Sequence, residues 1–161
     1  MVHFKLTYFN FRGRAEIIRM IFVAANQPFQ DERIEPANWP AFKSQTPFGQ
    51  MPVLEITTDN GNVIQLAQTM AIARHLARQF RLAGSNELEE TFADMYAEQV
   101  HDLFSEYAKI AREKDVEKKQ ELQEKMQRET LPANLAKIEA RLADNRGHLA
   151  GCGITYADVI H

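Results

Sequence analysis

The sequence predicts an α/β fold in its N-terminal half and an all-helical fold in its C-terminal half. Between residues 3 and 79 the hydrophobic pattern predicts elements in the order βαβ-α-ββα. From residue 87 onward the apolar residues recur only at three- and four-residue steps. Residues 1–83 hold nine Lys/Arg and six Asp/Glu, a net charge of +3, whereas residues 84–161 hold ten and sixteen, a net charge of −6. The halves differ in periodicity and in charge, which indicates two units.

The N-terminal half begins with a predicted βαβ unit. Polar and apolar side chains alternate along residues 3–9, which also carry aromatic rings, as is typical of a strand. Residues 14–25 place apolar side chains at helical spacing. Residues 28–34 suit a second strand, parallel to the first because a helix separates them. Residues 36–48 contain Trp39 and three prolines, so they predict a short helix between loops.

A hairpin and a helix complete this half. Residues 52–56 and 62–65 flank the turn signal Asp59-Asn60-Gly61. Residues 68–79 then predict an amphipathic helix. The order βαβ-α-ββα over residues 1–81 is the layout of a thioredoxin-like fold.

The C-terminal half, residues 82–161, is predicted to be a helical domain that follows a short linker at 82–86. Residues 87–112 and 131–143 carry apolar stripes at helical spacing. Residues 113–129 mix both charge signs densely, which favours a solvated helical face or a helix–helix junction over a binding tail.

The last segment predicts the start of one more helix. Thr155 and Asp158 form a capping pattern, but only Val159, Ile160 and His161 follow. Either the chain is a fragment or the gene product is unusually short, and we expect the helical domain to be incomplete in this chain.

Composition excludes several classes of protein. The chain has 161 residues with 45% hydrophobic and 25% charged residues, and its net charge of −3 argues against a general nucleic-acid binder. No apolar run approaches the length of a membrane span, and the N-terminus lacks the pattern of a signal peptide. Cys152 is the only cysteine, which fits a reducing compartment, so we expect a cytoplasmic protein. The five histidines show no metal-ligand spacing, so no metal site is expected.

The first candidate site lies at the end of the first strand. Residues 5–16 read as strand, turn and helix start, and they bring together the phenol of Tyr8, the guanidinium of Arg14 and Gly13. A helix N-terminus and a forked donor suit a small anionic ligand. The alternative is that Tyr8 is a half-buried strand-end aromatic and Arg14 a solvated helix residue.

Three further segments of the same half carry polar groups beside turns. Trp39 and Lys43 set an indole N–H and an ammonium about one helical turn apart. The other two segments are Gly49-Gln50-Met51-Pro52 and, at a predicted helix start, Gln68-Thr69.

In combination these segments resemble the sigma class of glutathione S-transferases, which includes many nematode enzymes and the haematopoietic prostaglandin D synthases. The resemblance covers the whole chain. It rests on Leu-Thr-Tyr-Phe-Asn-Phe-Arg-Gly-Arg-Ala-Glu at 6–16, Asn-Trp-Pro at 38–40 with Lys43, Pro-Phe-Gly-Gln-Met-Pro-Val-Leu at 47–54, Gln-Thr-Met-Ala-Ile-Ala-Arg at 68–74 and Ile-Thr-Tyr-Ala-Asp at 154–158. It implies a glutathione-binding thioredoxin-like domain, an all-helical domain that continues into several more helices in the family, and a homodimer.

The resemblance implies roles for the first two segments. Tyr8 would donate its O–H to the sulfur of glutathione, with Arg14 as electrostatic helper. A free thiol has a pKa of about 8.5, and a hydrogen bond to the thiolate favours the charged form. Trp39 and Lys43 would hold the glycine-end carboxylate, although simple core packing is the alternative for Trp39.

It also implies roles for the remaining segments. Gln50 and Met51 precede Pro52, whose peptide bond is cis in the family, and the backbone of the residue before it would bind the cysteinyl part of glutathione. Gln68 and Thr69 would meet the γ-glutamyl carboxylate at a helix start, where Thr69 would otherwise only cap the helix.

The resemblance implies further contacts from the helical domain. Glu98 of the partner subunit would approach the γ-glutamyl ammonium. The second-substrate pocket would involve Phe9, Met95 and Phe104.

The expected activity is conjugation of reduced glutathione to small hydrophobic electrophiles, a detoxification reaction with glutathione as co-substrate and no cofactor. No nucleic acid or membrane partner is expected. One alternative is a prostaglandin D synthase-type isomerase. Another is a non-catalytic glutathione- or ligand-binding relative, as the lens crystallins of this family are.

Overall fold

The computed structural model describes residues 2–161, which form two compact units. The first unit ends at Leu82 and the second runs from Ala83 to His161. Met1, the first residue of the predicted N-terminal domain, lies outside the described residues.

The first unit is built on a four-stranded mixed sheet. Its strands are β1 (His3–Phe9), β2 (Gln30–Ile34), β3 (Val53–Thr57) and β4 (Val63–Ala67), in the spatial order β2-β1-β3-β4. Strands β1 and β2 are parallel, and the other two pairs are antiparallel. The thioredoxin-like prediction is therefore confirmed.

Two strand boundaries differ from the prediction by two residues. Strand β2 begins at Gln30, which pairs with Lys5, and not at Pro28, which has no N–H to give to a ladder. Strand β4 continues beyond Gln65 to Ala67 because Ala67 still pairs with Val53.

The helices of this unit are α1 (Glu16–Ala24), α2 (Trp39–Lys43) and α3 (Thr69–Gln79). One 3₁₀ turn, Pro36–Asn38, precedes α2. The core combines one face of α1, one face of α3 and the inner side chains of β1 and β3. Its fully buried members include Leu6, Ile18, Phe22, Leu54, Ile72 and Leu76.

The strand register determines which loops are neighbours. Thr7 lies opposite Val53, Val53 lies opposite Ala67, and Phe9 lies opposite Ile34. The C-terminal ends of β1, β2 and β4 and the N-terminal end of β3 consequently share one end of the sheet. The loops that carry the predicted site begin there.

The second unit is helical. Helix α4 spans Glu87–Arg112, as predicted, and Asn86 caps it by accepting hydrogen bonds from the N–H groups of Leu88 and Glu89. Helix α5 (Val116–Lys125) continues through a π-helical turn at Met126–Thr130 into α6 (Leu131–Asp144). The π turn precedes Pro132, which cannot donate a hydrogen bond to the preceding turn.

A short turn separates α4 from α5. Asp115 caps α5 by accepting from the Lys118 N–H at 3.0 Å. Glu113 accepts from Lys118 Nζ at 3.0 Å, and this ammonium holds the pKa of the Glu113 carboxyl below its usual range. Helix α5, which forms most of the charge-rich segment 113–129, has no buried side chain.

Helix α7 (Tyr156–Ile160) begins with the predicted capping box. Asp158 accepts from the N–H and the hydroxyl of Thr155, both at 2.8 Å, and from the Leu149 N–H at 2.7 Å. Tyr156 is buried and its hydroxyl donates to Asp94. The exposed Cys152 lies in the loop before this helix.

Across residues 2–161, no helix combines the length and the apolar character needed to cross a membrane. The same residues contain no cluster of three or more His, Cys, Asp or Glu side chains that could hold a metal ion.

Candidate active site

Tyr8 is the buried centre of the candidate site. Its side chain is 6% exposed, and its Oη accepts a hydrogen bond from the backbone N–H of Arg14 at 3.1 Å. In the part of the chain that the structure describes, the Tyr8 O–H finds no acceptor. The proton is therefore available to a ligand, and the accepted hydrogen bond polarises the phenol toward donation.

Gly13 allows the backbone to pass close to this hydroxyl. A Cβ at Gly13 would lie 2.6 Å from Tyr8 Oη and 2.5 Å from Cε2 of Phe11, closer than side-chain carbons approach other atoms. The absence of a side chain at Gly13 thus keeps the loop against Tyr8. The sequence singled out this glycine but not the contact that requires it.

Phe11 is a contact that sequence reasoning missed. Its ring stacks on Phe9, with centroids 5.7 Å apart and planes 11° apart, and meets the edge of Tyr8 at 5.4 Å. Phe11 is nevertheless 56% exposed. It forms an open apolar surface next to the phenol.

Arg19 is a second residue that sequence reasoning missed. It is 7% exposed, and its guanidinium bonds to Asp31 on β2, to the Phe11 carbonyl and to Glu16. The guanidinium carbon lies 6.0 Å from the centroid of the Tyr8 ring. The sequence does contain a sign that Arg19 is buried, because this cation interrupts the apolar run 17–22 and arginine is rarely buried unless it is paired.

Trp39 and Lys43 lie on α2, as predicted. The half-buried indole meets Phe9 edge to face at 5.9 Å and Phe42 at 6.4 Å. Lys43 is exposed and ends the helix, and no carboxylate pairs with its ammonium among residues 2–161. Its stem runs beside Gly49, whose Cβ would lie 3.3 Å from Lys43 Cε.

The loop from α2 to β3 is held in a defined path. Thr46 Oγ1 donates to the Lys43 carbonyl at 2.8 Å, and Gly49 has φ +62°, which a glycine adopts without steric cost. The Met51–Pro52 peptide is cis, as the resemblance implies. Pro52 is buried, Met51 is half-buried and Gln50 is exposed.

Gln68 has an unusual backbone at the start of α3. Its φ of +74° is rare for a residue with a side chain, and such strain is concentrated at functional sites. Thr69 follows as the first helical residue and is 5% exposed. The N–H groups of this first turn have no partner within the helix, so they can bind an anion.

The structure brings the predicted residues of the first unit to one end of the sheet. Tyr8 lies near the end of β1, Pro52 directly before β3 and Gln68 directly after β4. Trp39 follows β2.

The three predicted residues of the second unit lie on α4. Met95 is 50% exposed, and Phe104, nine residues later, is half-buried. At about 100° per residue they point to opposite sides of the helix. Glu98 is half-buried, with Oε2 3.8 Å from Nδ1 of His101.

Comparison with known families identifies the class of protein. The family model for the glutathione S-transferase N-terminal domain matches residues 4–78, and the model for the glutathione S-transferase C-terminal domain matches residues 101–161. The chain belongs to the glutathione S-transferase family.

Its relatives place it near the sigma class, as the motifs predict. It is 39% identical to human hematopoietic prostaglandin D synthase over 161 residues, which cover 98% of this chain and 75% of that protein. It is 42% identical to S-crystallin SL11 of Nototodarus sloanii over 91% of this chain and 69% of that protein.

A solved structure agrees. The sigma-class glutathione S-transferase of Fasciola hepatica matches with a TM-score of 0.87 and 34% identity, over 99% of this chain and 76% of that chain.

Proposed function

We propose that the protein is a glutathione transferase that conjugates reduced glutathione to small hydrophobic electrophiles, with Tyr8 stabilising the thiolate. The observation that carries this proposal is the buried Tyr8 hydroxyl, which accepts from the Arg14 N–H and keeps its own proton for a ligand. Membership of the family supports glutathione as the co-substrate.

The chemical task of Tyr8 is to keep sulfur ionised. The thiol of glutathione has a pKa of about 8.5, so it is mostly protonated at neutral pH. Lowering this pKa by about two units requires roughly 2.7 kcal/mol of differential stabilisation. A phenol hydrogen bond to a charged acceptor, with the positive charge of Arg14 nearby, can supply stabilisation of this size. The thiolate then attacks the electrophilic carbon and displaces its leaving group.

The polar groups around Tyr8 can bind the rest of the tripeptide. Lys43 and Trp39 supply a cation and an N–H donor for the glycine carboxylate. Gln50 and the Met51 backbone would bind the cysteinyl unit. The N-terminal turn of α3, with Gln68 and Thr69, would receive the γ-glutamyl carboxylate.

The second substrate and the partner subunit belong to the same proposal. Phe9 offers an apolar ring next to Tyr8. Met95 and Phe104 lie on opposite sides of α4, so one pocket cannot take both, and the exposed Met95 is our candidate from the helical unit. We propose a homodimer in which Glu98 of the partner subunit approaches the γ-glutamyl ammonium. Sedimentation equilibrium tests the dimer, since a single species of 18.5 kDa would contradict it.

The test of the function is Tyr8→Phe. A hydrogen bond to a charged group contributes about 1.5–3 kcal/mol, so we expect kcat with an aryl halide to fall roughly ten- to 150-fold. The dissociation constant of S-methylglutathione, measured by calorimetry, should change little because this ligand has no thiol to ionise.

Tyr107→Phe is the matched control, because Tyr107 is 57% exposed on α4. Full turnover in Tyr8→Phe, or an equal loss in both variants, would contradict the role of Tyr8.

The relatives also favour two other candidates. A prostaglandin D synthase-type isomerase is supported by the identity to the human protein of that name, and incubation with a prostaglandin endoperoxide followed by product analysis tests it. A non-catalytic binder is supported by the similarity to S-crystallin SL11. Retention on immobilised glutathione without conjugating activity would select this last candidate.

A further inference from the structure

We propose that Arg19 is a positioning residue that holds the loop 11–14 over the Tyr8 hydroxyl and thereby sets how strongly Tyr8 stabilises the thiolate. This inference rests on the proposed function. It assigns the control of Tyr8 to a side chain that does not contact the ligand.

One buried guanidinium connects three parts of the first unit. Its Nε lies 3.2 Å from both carboxylate oxygens of Asp31 on β2. Its Nη1 donates to the Phe11 carbonyl at 3.3 Å and to Glu16 at 3.1 Å, at the start of α1. Arg19 therefore ties the loop after β1 to the neighbouring strand and to the following helix.

The tied loop is the one that contacts the phenol. Phe11 packs against the Tyr8 ring, Gly13 passes beside Oη, and the Arg14 N–H donates to Oη at 3.1 Å. A shift of this loop would lengthen the only hydrogen bond that the phenol oxygen accepts from residues 2–161. Since accepted and donated hydrogen bonds of a hydroxyl strengthen each other, the shift would also weaken the bond to sulfur.

Burying the guanidinium of Arg19 costs free energy that an apolar side chain at this position would not cost. Its Nη2 is buried without a hydrogen-bond partner in the described part of the chain, and an unsatisfied buried donor costs free energy. Well-packed apolar residues often replace buried ion pairs without loss of stability. A buried cation at this position points to a role for the loop geometry rather than to stability alone.

The experiment compares Arg19→Met and Arg19→Lys with wild type. Ultraviolet absorbance of the thiolate, recorded against pH, gives the pKa of bound glutathione. We expect Arg19→Met to raise this thiol pKa by about one unit, from about 6.5 to about 7.5, which leaves about threefold less thiolate at pH 7, with kcat falling in parallel. Arg19→Lys keeps the charge but loses the fork, so an intermediate shift is expected. The dissociation constant of S-methylglutathione should stay within about twofold in both, since its binding groups are elsewhere.

Arg33→Met is the matched control. Arg33 bonds to the same Asp31 at 2.8 Å and donates to Oδ1 of Asn10 at 2.9 Å, but it forms no hydrogen bond with residues 11–14 among the described residues, so its loss should leave the thiol pKa unchanged. Circular dichroism confirms folding of each variant, and Arg19→Lys decides the question if Arg19→Met does not fold.

The outcomes separate the two proposals. An unchanged thiol pKa in a folded Arg19 variant, or an equal shift in Arg33→Met, would overturn the positioning role while the proposed function stands. A wild-type protein that does not lower the thiol pKa would instead contradict the proposed function, and the positioning role with it.

Discussion

Gly13 determines how closely the backbone approaches the phenol at the centre of the candidate site. Because it has no side chain, the loop can bring the Arg14 N–H to 3.1 Å from Tyr8 Oη. Gly13, which has no side chain, therefore affects the hydrogen bonding of the Tyr8 hydroxyl.

Gly13→Ala should lower conjugating activity. The added methyl would lie 2.6 Å from Tyr8 Oη and 2.5 Å from Phe11, so the loop or the phenol must move. We expect a loss of about tenfold or more in kcat, with a destabilisation of about 1–3 kcal/mol typical of overpacking. Steady-state kinetics and urea unfolding measure the two effects.

Gly153→Ala is the control, because nothing lies within 4 Å of a Cβ there. Equal activity losses in the two glycine variants would show that crowding at the hydroxyl is not the cause.

The sequence places the polar residues of the candidate site at strand and helix ends, but it does not show the residues that hold them. Tyr8, Trp39 and Lys43 lie in motifs whose spacing relative to strand and helix ends is visible in the chain. Arg19 depends on the Phe11 carbonyl and on Asp31, twelve residues away, and such tertiary partners leave no local pattern. Gln68 gives no sign of its positive φ because only the surrounding structure imposes it.

At the scale of elements, helix α1 shows how the sheet is covered. Phe22 is fully buried and its ring contacts Phe4 at 5.3 Å and Phe29 at 4.4 Å. Its neighbour Val23 points outward and is 74% exposed. The side chains of Phe22 and Val23 therefore differ from buried to exposed, because consecutive residues of a helix point about 100° apart.

Phe22→Ala should destabilise the first unit by about 3–5 kcal/mol because it leaves a cavity among aromatic rings. Val23→Ala, one residue away, should cost about 0.5 kcal/mol or less. Urea unfolding followed by Trp39 fluorescence measures both, since Trp39 is the only tryptophan. Similar losses in the two variants would contradict the packing of α1 described above.

Element prediction succeeded where periodicity was long and failed where local chemistry competed. The 26 residues of α4 repeat one apolar stripe between a cap and a turn, so both ends were predicted. The sequence predicts residues 131–143 as a helix of their own, whereas in the structure α5 continues through a π turn into α6. Proline at position 132 reads as a stop in sequence, but a helix can accommodate it by shifting its hydrogen bonds.

At the scale of the whole molecule, charge is divided between the halves. Residues 1–83 carry +3 and residues 84–161 carry −6. Glutathione has two carboxylates and one ammonium, hence a net negative charge at neutral pH. The positive half is the one with the candidate glutathione site.

Glutathione binding should therefore weaken as salt is added. Exposed ion pairs contribute up to about 1 kcal/mol at low ionic strength, so we expect the dissociation constant to rise by up to about fivefold between low and high salt. Lys43→Met should flatten this dependence, because it removes an exposed cation at the site. Calorimetry at several salt concentrations measures it.

Lys137→Met serves as control, since Lys137 is an exposed cation on α6 in the other unit. A dependence that Lys43→Met and Lys137→Met reduce equally would show that overall charge, not the site, attracts the ligand.

The exposed thiol of Cys152 has a practical consequence. A maleimide dye can react at a single place in this chain, and that place is in the helical unit, whereas the indole lies in the sheet unit. The sheet unit therefore carries a fluorescent reporter, Trp39, and the helical unit carries a site for a dye, Cys152. Stopped-flow denaturation, followed by Trp39 fluorescence for the sheet unit and by the fluorescence of a dye on Cys152 for the helical unit, would show whether the two units unfold together or one after the other.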